Sequence, residues 1–219
     1  MKTPRRIALA AAALALSACA SRPAPDDARL DPPPAAQAPA DAFLAALARH
    51  CGKAYAGRIV ANVPAPDAPP PTGPDPFEGK PLVMHVRGCD DPTRELRVPF
   101  HVGDDHSRTW VLTRTGTGLR LKHDHRHADG SPDAQTMYGG DTRQAGTAVR
   151  QAFPVDAESI ALFGRTGANA SVTNTWAMEV EPDARFLYEL ARPGGRLFRV
   201  EFDLSRPVAL PPPPWGAVD

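Results

Sequence analysis

The chain has 219 residues with 25 basic and 25 acidic side chains, so its formal net charge is zero. That balance gives no basic field for gripping a phosphate backbone, which excludes nucleic acid as an expected partner. The length fits one domain of ordinary size, the 26 prolines call for extended segments around it, and three cysteines are few enough to assign one by one.

Met1-Lys2-Thr3-Pro4-Arg5-Arg6 is a short cationic opening, followed by an apolar run from Ile7 to Leu16. Such a run is too short to span a bilayer and reads as a secretory signal over residues 1–18. Leu16-Ser17-Ala18-Cys19 resembles the lipobox of bacterial lipoproteins in both residue type and position. The resemblance implies cleavage before Cys19, a diacylglycerol on its sulfur and an acyl group such as palmitate on its new amine. A lipid bilayer is then the first partner. Ala20 rather than Asp follows the cysteine, which in that family implies the outer membrane, with the domain facing the periplasm. Loss of Lys2, Arg5 and Arg6 from the 25 basic residues leaves 22 against 25 acidic ones, a net charge of −3.

With Cys19 committed to lipid, Cys51 and Cys89 are an even pair in an oxidising compartment and are expected to be bonded; the alternative is two separate buried thiols. In the chain-entropy model a bridge closing that loop contributes roughly 4 kcal/mol. Ala20 to Ala40 is rich in Pro, Ala and Asp and nearly free of large apolar side chains, so it reads as a tether. At about 3.1 Å per residue, an extended Pro-rich segment of this length holds a domain up to roughly 60 Å from the membrane.

The domain proper is expected over residues 41–207. Asp41 to Cys51 has helical spacing, with Asp41 as cap, Phe43, Leu44, Leu47 and Cys51 on one face, and Gly52 at the stop. Strand patterns follow at Ala54 to Val63, Leu82 to Arg87, Glu95 to Val102 and Arg108 to Thr115. Pro64 to Pro81 interrupts them as a proline-dense loop expected to be exposed. Thr115-Gly116-Thr117-Gly118 is a turn into a strand where Leu119, Leu121, His123, His125 and His127 share one face. Ala128 to Asp133 is a second turn, after which Gln135 to Tyr138 can pair back. Asp156 to Phe163 reads as a brief capped helix. Ser171 to Glu181, Arg185 to Leu190 and Arg196 to Leu204 are strands, the last alternating Phe198, Val200, Phe202 and Leu204 with Arg199, Glu201 and Asp203. A proline-rich tail ends the chain over residues 208–219.

Eight to ten short antiparallel strands after one short helix predict a mainly β domain, a single up-and-down barrel or a sandwich. Serial hairpins bring the first and last strands together, which favours the barrel. The strand pattern resembles that of lipocalins, although Ala54 to Val63 lacks the Gly-x-Trp that many of them carry. The body also resembles uncharacterised bacterial secreted proteins around His-Asp-His-Arg-His and Tyr-Gly-Gly-Asp, a resemblance that brings no activity with it.

Three function classes remain. A binding module would hold a small hydrophobic ligand, or an envelope protein, in a pocket edged by Trp110, His123, His125, His127, Tyr138 and Trp176. A metal protein or metal-dependent enzyme would place a divalent ion on His123, His125, His127 and Asp129, with Asp133, Tyr138, His85 or His101 as further ligands. A structural envelope protein would use the tether and proline-rich tail. Matches to metallo-β-lactamase, cupin and calcium-loop patterns all fail at one or more ligands, and no Gly-x-Ser-x-Gly elbow is present, so no catalytic residue is assigned. Glu179, Glu181, Glu189, Glu201 and Asp203 alternate with apolar residues and read as an outer face.

Overall fold

The computed structural model describes residues 37–217 apart from 67, 69–72 and 74. The signal segment, the lipobox with Cys19 and the tether as far as residue 36 lie outside the described residues.

The strands are β1 (Ala54–Val63), β2 (Leu82–His85), β3 (Glu95–Val102), β4 (Asp105–Arg114), β5 (Leu119–His125), β6 (Tyr138–Asp141), β7 (Arg150–Pro154), β8 (Thr175–Glu181), β9 (Arg185–Ala191) and β10 (Leu197–Val208). They form one antiparallel sheet in the order β6-β5-β4-β3-β2-β1-β10-β9-β8-β7, nearly closed into an up-and-down barrel. The first and last strands pair along Ala54–Val63, so the closure expected of serial hairpins occurs there. The join lies mid-chain instead, between β6 and β7.

Glycine makes that join possible. No ladder pairs β6 with β7, but the Asp156 N–H donates to the Gly139 carbonyl at 3.0 Å. A Cβ on Gly140 would lie 1.9 Å from the Pro154 carbonyl oxygen, and one on Gly139 would lie 1.9 Å from that of Leu121. Gly140 thus lets the backbones of β6 and β7 approach, and Gly139 lets β6 sit close on β5. The helix α2 (Ala157–Thr166) locks the join from its N-terminus: Asp156 caps it by accepting from the Ser159 N–H, as the sequence predicted. The Ser159 hydroxyl then accepts from the Gly139 N–H at 2.8 Å and donates to its carbonyl at 3.1 Å.

One end of the barrel is shut by α1 (Pro39–Ala48), whose Phe43, Leu44 and Leu47 are fully buried. The helix starts earlier than its polar signal suggests, because Pro39 takes the first turn, where its missing N–H costs nothing. Asp41 is therefore not the cap. Its carboxylate instead pairs with Arg114 at the end of β4, at 2.5 Å. Arg49, just past the helix, pairs with Asp183 in the turn between β8 and β9. The Cys51–Cys89 bond is formed, with Cα atoms 6.1 Å apart, and fixes the helix exit beside the segment leaving β2.

Elsewhere the sheet departs from the sequence pattern in particular places. β7 is a strand that the pattern does not announce, since only Gln151 and Phe153 of its five residues are buried. β8 begins at Thr175 because Asn169–Thr173 coils as a 3-10 turn. The expected outer face of carboxylates is a ladder of ion pairs: Arg150 bridges Glu179 and Glu189, Arg185 bridges Glu179 and Glu181, and Arg199 holds Glu189. The tail folds back over the outside of β3 and β4, where the Trp215 N–H donates to the His106 carbonyl at 3.0 Å.

Candidate functional site

The interior side of β5 carries Leu119, Leu121 and His123 in alternation, all 3 % exposed or less. His125 follows on the same side, half-buried, where the barrel opens. The open end is the one opposite α1, bounded by the ends of β1 and β5 and the starts of β4 and β10. There a cavity of about 150 Å³ is lined by Phe77, Phe100, Arg108, Thr109, Trp110, His123, His125, Tyr138, Tyr188, Arg196 and Phe198.

The proton positions at its base follow from geometry. His123 Nδ1 lies 3.1 Å from the Tyr138 carbonyl oxygen, which can only accept, so Nδ1 carries the hydrogen and donates. Its Nε2, 2.9 Å from the Tyr188 hydroxyl, then accepts the tyrosine proton. Burial, reinforced by His125, lowers the His123 pKa to about 3, so the ring is neutral. His125 is lowered to about 4, first by burial and then by the Arg108 guanidinium. Its Nε2 shares a hydrogen bond of 3.2 Å with the Tyr138 hydroxyl, which burial pushes up to about 12. Among the described residues His125 Nδ1 has no partner.

Aromatic rings build the walls. His123 stacks on Tyr138 with centroids 4.7 Å apart, Trp110 on Tyr188 at 4.5 Å, and Phe100 on Trp110 at 5.1 Å. Phe77, within the proline-dense segment expected to be exposed, leans on Phe198 at 5.0 Å and so lies at the mouth of the barrel. Two guanidiniums share the mouth. Arg108 donates to Asp105 at 2.6 Å and sits 5.9 Å from the Phe77 ring centre. Arg196 donates through Nη1 to Asn62 Oδ1 at 2.8 Å and to the carbonyls of Val63 and Leu197 at 2.9 and 3.2 Å.

Of the residues singled out in the sequence, Trp110, His123, His125 and Tyr138 converge here. Trp176 does not line the cavity: it is fully buried behind it, its ring 5.0 Å from that of His123. His127 and Asp129 are also elsewhere. β5 ends at His125, Arg126 bridges to Pro132, and Gly130 turns the chain with a φ of 83°, which leaves both side chains exposed on the turn. The set His123, His125, His127 and Asp129 is therefore not assembled, and among the described residues no group of three His, Cys, Asp or Glu is placed to hold a metal ion. His85 and His101 cannot complete it either. His101 alternates with inward Phe100 and Val102 and so lies on the outer face, where its Nδ1 is 2.7 Å from that of His106.

Phe77, Phe100, Arg108, Tyr188, Arg196 and Phe198 are absent from the sequence-level set. Only the alternation of Phe198 with Arg199 pointed inward, and nothing local tied it to β5. No protein-family model, curated protein or solved structure matches the chain.

Proposed function

We propose that the chain is a cell-envelope lipoprotein, held on the outer membrane by an acylated Cys19 and facing the periplasm, whose barrel binds a small molecule at its open end. The observation that carries the reading is the pair of neutral histidines, His123 and His125, aimed into an aromatic-walled cavity rather than into solvent. His123 orients the Tyr188 hydroxyl, and the uncharged His125 ring, through its remaining Nδ1, can meet a ligand without the desolvation cost of an ion. The walls supply apolar contact and the arginines at the mouth supply orientation. The wall rings pack on one another, Trp110 on Tyr188 and Phe100 on Trp110, so less ordering is lost on binding.

Thermal denaturation of the full chain against a panel of metabolites and short acids tests this. A ligand that raises the midpoint in the wild type and not in His125→Ala supports it, and a flat response across the panel overturns it. Radiolabelled palmitate that enters the wild type but not Cys19→Ala tests the anchor separately.

A further inference from the structure

We infer that the ligand of this pocket is a single-ring planar carboxylate, an acid of the benzoate class, whose ring lies among the aromatic walls and whose carboxylate meets Arg196. The inference rests on the binding reading above and adds the chemical class.

Size comes first. A cavity of about 150 Å³ matches the roughly 150 Å³ that accepts one benzene ring. It falls below the roughly 300–1,000 Å³ of pockets for drug-sized ligands, so a long acyl chain or a macrocycle does not fit inside. Shape comes next. Phe77, Phe100, Trp110, Tyr188 and Phe198 present ring faces and edges, and such walls favour a flat apolar body over a branched one.

Charge decides the head group. Arg108 already has Asp105 at 2.6 Å, whereas Arg196 makes its hydrogen bonds to neutral oxygens only, all through Nη1. Among the described residues no carboxylate lies within ion-pairing distance of Arg196; the nearest to act on it is Asp75, which accepts from the Asn62 amide at 3.0 Å, and the Phe198 ring centre lies 5.7 Å from the guanidinium. Its Nε and Nη2, which form the guanidinium edge that grips a carboxylate in a two-point contact, have no partner there. A half-buried cation with an unused edge in an aromatic pocket is matched by an anion that brings its own apolar ring. His125 Nδ1 in the same lining also lacks a partner among the described residues and can meet a ring hydroxyl, so a hydroxybenzoate belongs to the same class.

Isothermal titration of the full chain with benzoate, benzyl alcohol and palmitate tests the inference, in the wild type and in Arg196→Met. Benzoate is expected to bind at least about tenfold more tightly than benzyl alcohol, the scale of a charge-assisted hydrogen bond. Arg196→Met should erase that preference while leaving benzyl alcohol within about twofold, as expected for a lost charge contact. Equal binding of the two ring ligands to the wild type, or a preference that survives in Arg196→Met, overturns it. Should Arg196→Met fail to fold, Arg196→Lys carries the test, because a point charge without the fork should retain only part of the preference. Palmitate binding with neither ring ligand bound sinks the chemical class and leaves the pocket standing. Silence from all three, together with a flat thermal panel, sinks both.

Discussion

The two ends of the barrel are built on opposite plans. At the closed end, α1 inserts Phe43, Leu44 and Leu47 at 1 % exposure or less, and a covalent bond and two ion pairs hold the helix in place. At the open end, the polar groups His125, Arg108 and Arg196 stand among aromatic rings, Phe77 among them. At the first end the apolar side chains of α1 are fully buried. At the second, a cavity remains and donors are left over. The two ends thus differ in what faces the barrel interior, apolar helix side chains at one and polar groups among rings at the other.

The largest expected effect is on the closed end. Replacing both Cys51 and Cys89 by Ser should reduce unfolding free energy by about 4 kcal/mol in urea titrations. A loss well under that would mean that α1 stays seated without its staple, and the contrast between the ends would weaken. Leu47→Ala comes next, with a loss of about 3 kcal/mol from its cavity and transfer terms. Calorimetry should show it leaving pocket affinity unchanged in the folded fraction; a change in affinity would mean that the two ends are coupled.

Acid acts on the open end through His123 and His125, and also on His50 beside α1 and on His85 and His101, whose pKa values burial lowers as well. The pKa values of His123 and His125 are depressed on folding, so the unfolded chain binds more protons between their folded values and the ordinary 6.5. Stability is therefore fully present above about pH 6.5 and falls as pH drops toward 4 and 3. From pH 6.5 to 5.5 each such histidine should remove about 1 kcal/mol. Urea midpoints for His123→Gln should show that much less acid sensitivity, and an unchanged slope would place the titration elsewhere. The smallest stability effect belongs to Phe77→Ala. The residue is half-buried on a loop, so the loss should stay below about 1 kcal/mol, and a larger fall in ligand affinity than in melting temperature would sharpen the contrast between the ends.

Much of the frame is readable in the sequence because alternation is a local signal. β1 and β3 begin and end where their pattern does, at Ala54–Val63 and Glu95–Val102. The inward turn of His123 and His125 follows from Leu119 and Leu121 by the same rule. That rule carries no notice of where a strand stops, and turn chemistry at Asp129-Gly130 removes His127 from the set. Arg108, Arg196 and Phe77 are not readable at all as a group. They come from β4, from the approach to β10 and from a proline-dense loop, and only closure of the sheet between β1 and β10 brings them together. β7 is hidden for a different reason, since five residues with two buried side chains give too short a period to recognise.

The join at Gly139 and Gly140 bears on how this ring of strands can change its girth. Everywhere else, widening it means unzipping a ladder. Between β6 and β7 it means parting the Asp156 contact, the Ser159 clasp and the Lys122 ion pairs to Asp156 and Glu158. Tyr138, which stacks on His123 and reaches His125, is the residue next to that hinge line. Parting the ring at this glycine seam therefore breaks fewer backbone hydrogen bonds than parting any two strands joined by a ladder.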